Sequence, residues 1–288
     1  MTQVLVNGLA IGGVYALLAV SFLLMFQVSG LLNFAQAQFV MAGAFIGATA
    51  ATGTAVPVWL ACVAGVVGAG LIGIVMERVT YRPLRGKSVA SMIIATVAVG
   101  IVLTRATELI WGAEPRSMPS LVPAGTLDLL GARVSTLSLL IIAISAVLLT
   151  GQHLMLTRTR LGRMLRATAL DAETAQLMGI RTNLLVVLAF VLGGALAGAA
   201  GLLVAPTYSV TTDIGTLIAL KAFAACVIGG FGNLLGAAAA AVGLGVVENL
   251  AGSYVATDSK DLVAFALLIL FLVIRPQGLF GEPVGEKL

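Results

Sequence analysis

The sequence predicts an all-α protein, a polytopic bundle of eight or nine membrane-spanning helices. Three observations make that prediction. Apolar residues fill 60% of the 288 positions and charged residues 10%, whereas a soluble domain carries about 25% charged residues. Met1 to Met76 contains no Asp, Glu, Lys, Arg or His, and at about 20 apolar residues per span that stretch has room for about three spans. The basic residues that do occur are gathered into short segments between apolar runs. A soluble globule with so few charges could not cover its surface, but a chain embedded in a bilayer need not.

The apolar runs lie near residues 3–28, 31–52, 56–76, 88–112, 137–156, 184–205, 215–231, 233–251 and 262–275. The first lacks a basic leader, is too long for a signal core and continues into further apolar segments. It is expected to be a span and not a cleavable signal. The last run is short, and 215–231 contains Lys221, so either could be tilted, broken or re-entrant. Basic residues set the orientation. Arg78, Arg82, Arg85 and Lys87 crowd one segment; Arg158, Arg160, Arg163, Arg166 and Arg181 crowd Thr157–Thr182; the tail adds Arg275 and Lys287. The other loops hold Arg116, Arg133 and Lys260 among Glu114, Asp128, Asp213, Asp258 and Asp261. Both basic segments therefore face the cytoplasm, with two spans between them. Counting outward places the C-terminus inside and the N-terminus outside. Trp59 and Trp111 then fall at outer ends of spans, where amphipathic rings are favoured. This asymmetry accounts for the net charge of +4 without nucleic acid as a partner.

Two short segments hint at a parallel internal repeat. Gly30-Leu-Leu-Asn33 opens a pair of runs ending at Arg82-Pro83, and Gly230-Phe-Gly-Asn233 opens another ending at Arg275-Pro276. Repeat-built transporters place the solute path between such halves. Glycines four apart, as in Gly8/Gly12, Gly194/Gly198 and Gly232/Gly236, let helix backbones approach closely in lipid. Cys62 and Cys226 lie in apolar runs without partner spacing and read as small packing residues.

Polar groups inside apolar spans are costly and point to pathways. Asn33, Gln36 and Gln38 sit where the second span begins, Asn233 occupies the matching place in the second motif, and Lys221 and Glu248 lie in or near apolar runs. These six are the pathway candidates; alternatively Lys221 and Glu248 satisfy each other's charge. Arg105 and Glu108, three apart near an outer helix end, read as a surface-level pair. Signals of catalysis fail. Arg85-Gly86-Lys87-Ser88 ends like a phosphate-binding loop, but Tyr81 stands where the first glycine is required, so no ATP hydrolysis is expected on this chain. His153 is the single histidine, which excludes a multi-His metal site and disfavours a Ser-His pair.

Thr157–Thr182 is the one cytoplasmic segment long enough for a helix outside the membrane. Asp171 and Glu173 suit the positive end of a helix dipole. Ala172, Ala175 and Gln176 recur at helical spacing, and Gly179 follows Met178 as a C-terminal cap. A surface connector and a docking element both fit this pattern.

Glu173-Thr174-Ala175, three residues, then Gly179 resembles the EAA-xxx-G loop of bacterial ABC importer permeases, with Thr174 where Ala is usual. In those proteins the short helix docks on a cytoplasmic ATPase. The resemblance makes Asp171, Glu173, Thr174, Ala175, Met178 and Gly179 an ATPase-coupling loop within 157–182. Residues 31–39, 77–86, 221–233 and 275–281 further resemble the Liv-type permeases of branched-chain amino acid importers. This resemblance implies one permease domain over 1–288 in the bacterial inner membrane. Its partners would be a second homologous permease, two cytoplasmic ATPases that bind the ATP, and an extracytoplasmic solute-binding protein. No cofactor or metal is expected on this chain. Gln36 and Gln38 stand where family members often carry His and Glu, so the solute is branched-chain amino acids or, among homologues, urea, short amides or another small solute. A self-contained carrier or channel is the rival of another class; it needs intramembrane carboxylates, for which Glu248 is the clear candidate.

Overall fold

The computed structural model describes residues 1–53, 56–123, 125–129, 132–254, 259–275 and 277–280. Asp258, Pro276, Gly281 and Lys287, invoked above, lie outside the described residues. Each apolar run forms a helix: α1 (Thr2–Ser29), α2 (Gln36–Gly53) and α3 (Val58–Met76) come first. A π-helical turn, Glu77–Tyr81, and α4 (Arg82–Leu84) prolong α3. Next are α5 (Val89–Trp111), the strands β1 (Thr126–Leu129) and β2 (Ala132–Ser135), and α6 (Thr136–Arg158). The short helices α7 (Arg160–Leu170) and α8 (Ala172–Leu177) precede α9 (Thr182–Val204), α10 (Thr216–Gly229), α11 (Leu234–Tyr254) and α12 (Ser259–Ile274).

Among the described residues, six stretches are long and apolar enough to cross a membrane: Thr2–Ser29, Val58–Leu84, Val89–Trp111, Thr136–Arg158, Thr182–Val204 and Leu234–Tyr254. The chain is thus an all-α, multi-pass membrane protein. α10, with 14 residues, rises only about 21 Å, less than the hydrocarbon thickness of about 30 Å. Neither the hairpin nor α7 is among the elements the sequence predicted. β1 and β2 pair antiparallel, Leu127 opposite Val134 and Asp128 opposite Arg133. Four residues a side carry too little alternation to announce a strand.

The chain divides into two compact units. Unit 1 comprises 1–23, 122–147 and 218–288, and unit 2 comprises 24–121 and 148–217; α1 and α6 contribute to both. In unit 2, α2, α3 and α9 pack with backbones nearly touching. A Cβ on Gly43 would lie 2.5 Å from Gly198 Cα, and one on Gly201 would lie 2.2 Å from the Val40 carbonyl oxygen. Apolar burial does not drive association in lipid, so close packing of this kind must. The Phe45 and Trp111 rings meet tilted, centroids 5.8 Å apart, in a cluster with Met41, Met118, Val210 and half-buried Cys62. Arg116 and Val210 exchange backbone hydrogen bonds of 3.0 and 2.8 Å, and the Arg116 guanidinium donates to the Trp111 carbonyl at 2.9 Å.

In unit 1, the first half of α1 lies on α11: a Cβ on Gly12 would be 2.8 Å from Val242 Cα, and one on Gly245 would be 2.5 Å from Gly12 Cα. Phe223 meets Phe22 and Phe231 edge-on, at 6.1 and 5.7 Å. The buried Cys226 thiol donates to the Ala19 carbonyl at 3.4 Å, the packing role expected of it. Gly232 departs from expectation. It sits in the turn before α11 with open space around its Cα, while Gly236 alone packs, a Cβ there falling 2.8 Å from the Gly229 carbonyl oxygen.

Candidate functional site

In unit 2 the segment between α6 and α9 is built from α7 and α8. Thr159 caps α7, its hydroxyl accepting the Gly162 N–H at 3.1 Å. Gly162, Leu165 and Thr168 are buried, while Arg160, Arg163 and Arg166 are exposed. Spacing of three is the signal that could have revealed this helix. Asp171 caps α8: one carboxylate oxygen accepts the N–H groups of Glu173 and Thr174 at 2.9 and 3.1 Å, and the other accepts the Thr174 hydroxyl. These bonds favour the ionised form. Thr174 above all, through its hydroxyl and its N–H, holds the Asp171 carboxyl below its ordinary pKa.

The far end of α8 closes as a Schellman turn. Gly179, at φ +83°, donates its N–H to the Gln176 carbonyl at 3.0 Å, and Ile180 donates to Ala175 at 3.1 Å. A left-handed backbone there favours glycine. Ala175 is buried, but Leu177 and Met178 are 88% and 80% exposed, so α8 offers an apolar tip at the end opposite its acidic cap. The first basic segment leans on the same region: the Arg85 guanidinium donates to the Asn183 amide oxygen on α9, and Tyr81 lies 6.0 Å from Phe190.

At the entry to α2, also in unit 2, Asn33 is buried, accepts the Ala35 N–H at 3.1 Å and points its amide NH₂ at the Met25 sulfur at 3.5 Å. Gln36 is wholly buried. Gln38 donates to the Thr104 hydroxyl at 3.5 Å, and its oxygen lies where Gly100 leaves room; a Cβ there would be 3.1 Å away. The Phe34 N–H points at the Thr96 hydroxyl, 3.3 Å away. The structure thus keeps these three residues at the entry to α2 and adds Gly100 and Thr104 of α5 beside Gln38 and Thr96 against the Phe34 backbone, partners that no local pattern announced.

In unit 1 the structure brings Lys221 and Glu248 together. The Lys221 ammonium donates to Glu248 Oε1 at 2.7 Å and to Asp261 at 2.7 Å. The Tyr15 hydroxyl donates to Glu248 Oε2 at 2.9 Å, and its ring lies 5.8 Å from the ammonium. Lys221 and Glu248 are each 5% exposed. Both carboxylate oxygens of Glu248 are engaged, so the group ties α1, α10, α11 and α12 together. Tyr15 lies 233 positions from Glu248 and could not be read as its partner.

The two sequence-matched turns share one local construction. Gly30 and Gly230 have φ of +68° and +101°, and each donates its N–H back into the helix it ends, to Phe26 and Cys226. Asn33 and Asn233 each then turn an amide oxygen onto a backbone N–H ahead, Ala35 and Gly236 respectively. Among the described residues no group of three or more His, Cys, Asp or Glu could hold a metal ion.

Residues 4–272 match the family model described as the branched-chain amino acid transport system permease component. The high-affinity branched-chain amino acid transport system permease protein BraD of Pseudomonas aeruginosa is 36% identical, across 99% of this chain and 97% of its own. The permease protein LivH of Escherichia coli K12, of the same description, is 34% identical with the same coverage. Among solved structures, PsaBC from Streptococcus pneumoniae in complex with Fab matches with a TM-score of 0.51 and 16% identity, covering 94% of this chain and 91% of that one. That likeness concerns the fold alone.

Proposed function

This chain belongs to the family of branched-chain amino acid transport permease components, and on that premise we propose that it forms half of an ATP-driven importer for branched-chain aliphatic amino acids. It sits in a bacterial inner membrane with the segments holding Arg85 and Arg163 on the cytoplasmic side. A homologous permease lines the other side of the path, two ATPases bind below, and a solute-binding protein delivers from outside. ATP is bound and hydrolysed by the ATPases.

The observation that carries this reading is the form of α8. It is stiffened at both ends, by the Asp171 cap and the Gly179 turn, and it exposes Leu177 and Met178. A short rigid helix with an apolar tip suits insertion into a groove on a moving partner. Its tight turn into α9, a helix that packs along α2 and α3, supports transmission of that partner's motion into the spans. The polar turn at Asn33, Gln36 and Gln38 lies on the path in this reading, while Lys221 and Glu248 hold α10 to α1, α11 and α12, and Asn233 caps α11.

Co-expression with the ATPase tests the proposal. An affinity-tagged chain is expected to retain the ATPase in detergent, and Met178→Glu, which puts charge on the apolar tip, is expected to release it at unchanged abundance. Retention of the ATPase by Met178→Glu as strong as by the unsubstituted chain would contradict the docking role.

A further inference from the structure

We propose that the pocket between α2 and α5, inside unit 2, is a subsite for the transported solute, recognising an aliphatic group and a carboxylate on one small molecule. This rests on the translocation reading above and extends it to residues that reading left out.

The pocket has a volume of about 230 Å³, the scale of a small metabolite and below that of drug-sized sites. Phe34, Val97 and Ile101 form an apolar wall, and Gln38, Thr104 and Arg105 a polar one. The Thr104 hydroxyl donates its proton to the Gly100 carbonyl at 3.1 Å. It can therefore only accept from Gln38, which fixes the Gln38 amide with NH₂ toward Thr104. Glu108 holds Arg105 through one Nη at 2.6 Å, and a guanidinium keeps further N–H donors in a planar fork. The Arg105 side chain is 71% exposed. A forked donor beside an aliphatic wall is the complement of an amino acid with an aliphatic side chain.

Depth supports the assignment. Eleven residues of α5 precede Gly100 and eleven follow it, counting from Val89 to Trp111. The Gln38 amide over Gly100 thus marks mid-span, where transporters hold their solutes. Arg105 lies five residues further along, about 7 Å by helical rise, toward the outer end. Ile101 is 59% exposed and Val97 44%, so the pocket opens away from the packed α2–α3–α9 seam. The Arg105 guanidinium, 71% exposed and held by Glu108 through one Nη, keeps further donors on the open side of the pocket; facing lipid alone they would be costly, and an aqueous path removes the cost.

The test uses the complete importer in cells and radiolabelled leucine. Arg105→Gln is expected to raise the KM for leucine at least tenfold with a smaller change in maximal rate, and Arg105→Lys to recover part of it. With Cys62→Ala and Cys226→Ala as background, Ile101→Cys is expected to react with a charged thiol reagent, protected by leucine and not by the carboxylate-free isobutylamine. Unchanged KM in Arg105→Gln at normal uptake, or equal labelling of Ile101→Cys with and without leucine, or labelling only by a lipid-soluble reagent, overturns the subsite alone. An unsubstituted importer that carries no amino acid overturns the translocation reading and the subsite with it.

Discussion

In unit 1 the short helix α10 is tied to its neighbours by charge: one ammonium, two carboxylates and a phenol within 3 Å contacts. In unit 2 the seam of α2, α3 and α9 holds its helices by removing side chains, so that Gly43 meets Gly198 and Gly201 meets the Val40 carbonyl. The difference follows from what each must do in lipid, where apolar contact alone gives little net attraction. Full-length spans such as α3 and α9 can afford a dry seam along many turns. α10 has 14 residues and fewer turns to offer, and a buried, fully bonded ion pair fixes its register instead. Such a pair adds specificity more than stability, because desolvation offsets much of its Coulomb gain.

That contrast can be broken in order of effect. Lys221→Met would leave Glu248 buried without its cation, and removing one partner of a buried pair costs about 3–5 kcal/mol. Thermal unfolding in detergent should show the loss, and Lys221→Met with Glu248→Gln should recover most of it. If the double variant were as unstable as the single one, charge pairing would not be what holds α10. Gly201→Ala forces a Cβ to 2.2 Å from a carbonyl oxygen and should cost about 1–3 kcal/mol as overpacking. Gly243→Ala on α11, where nothing lies within 4 Å, should be neutral by the same assay; equal losses at both would refute the seam.

The α8 segment, proposed above to dock on the ATPase, sharpens the comparison at smaller scale, since it relies on neither device. Gly179→Ala places a Cβ at φ +83°, a left-handed conformation that costs about 1–2 kcal/mol. ATPase retention should weaken while the thermal transition of the spans stays put. The smallest effect is acidic. Because Thr174 lowers the Asp171 carboxyl below its ordinary pKa, the cap's contribution is complete above the unfolded value of about 3.9 and is lost as pH falls through the lower folded value. Amide exchange at Thr174 should therefore be flat from neutral pH to about 4 once corrected for its intrinsic rate, and rise only below.

The sequence announced what is periodic and local. All nine apolar runs became helices because a long, mostly uncharged stretch has no other way to satisfy its backbone hydrogen bonds in lipid. Asp171 and Gly179 were legible because a cap acts within four residues of itself. Lys221 with Glu248 was readable as one of two alternatives; Asp261 and Tyr15 were not, because their contacts are set by helix packing across the chain. Gly100 illustrates the same limit. In sequence it is one more small residue on an apolar helix, and only the packing of α2 on α5 makes it the seat of the Gln38 amide. The hairpin was missed for want of length; α7, at 11 residues, carried its signal only in the three-residue spacing of Gly162, Leu165 and Thr168.

The most direct test of the account is transport itself. Proteoliposomes holding this chain, its homologous partner permease and the ATPase, supplied with the solute-binding protein outside and ATP inside, should accumulate leucine. Met178→Glu should abolish that accumulation while the complex-free ATPase still turns over ATP. Accumulation by this chain alone, without the ATPase or ATP, would contradict the account and identify a self-contained carrier.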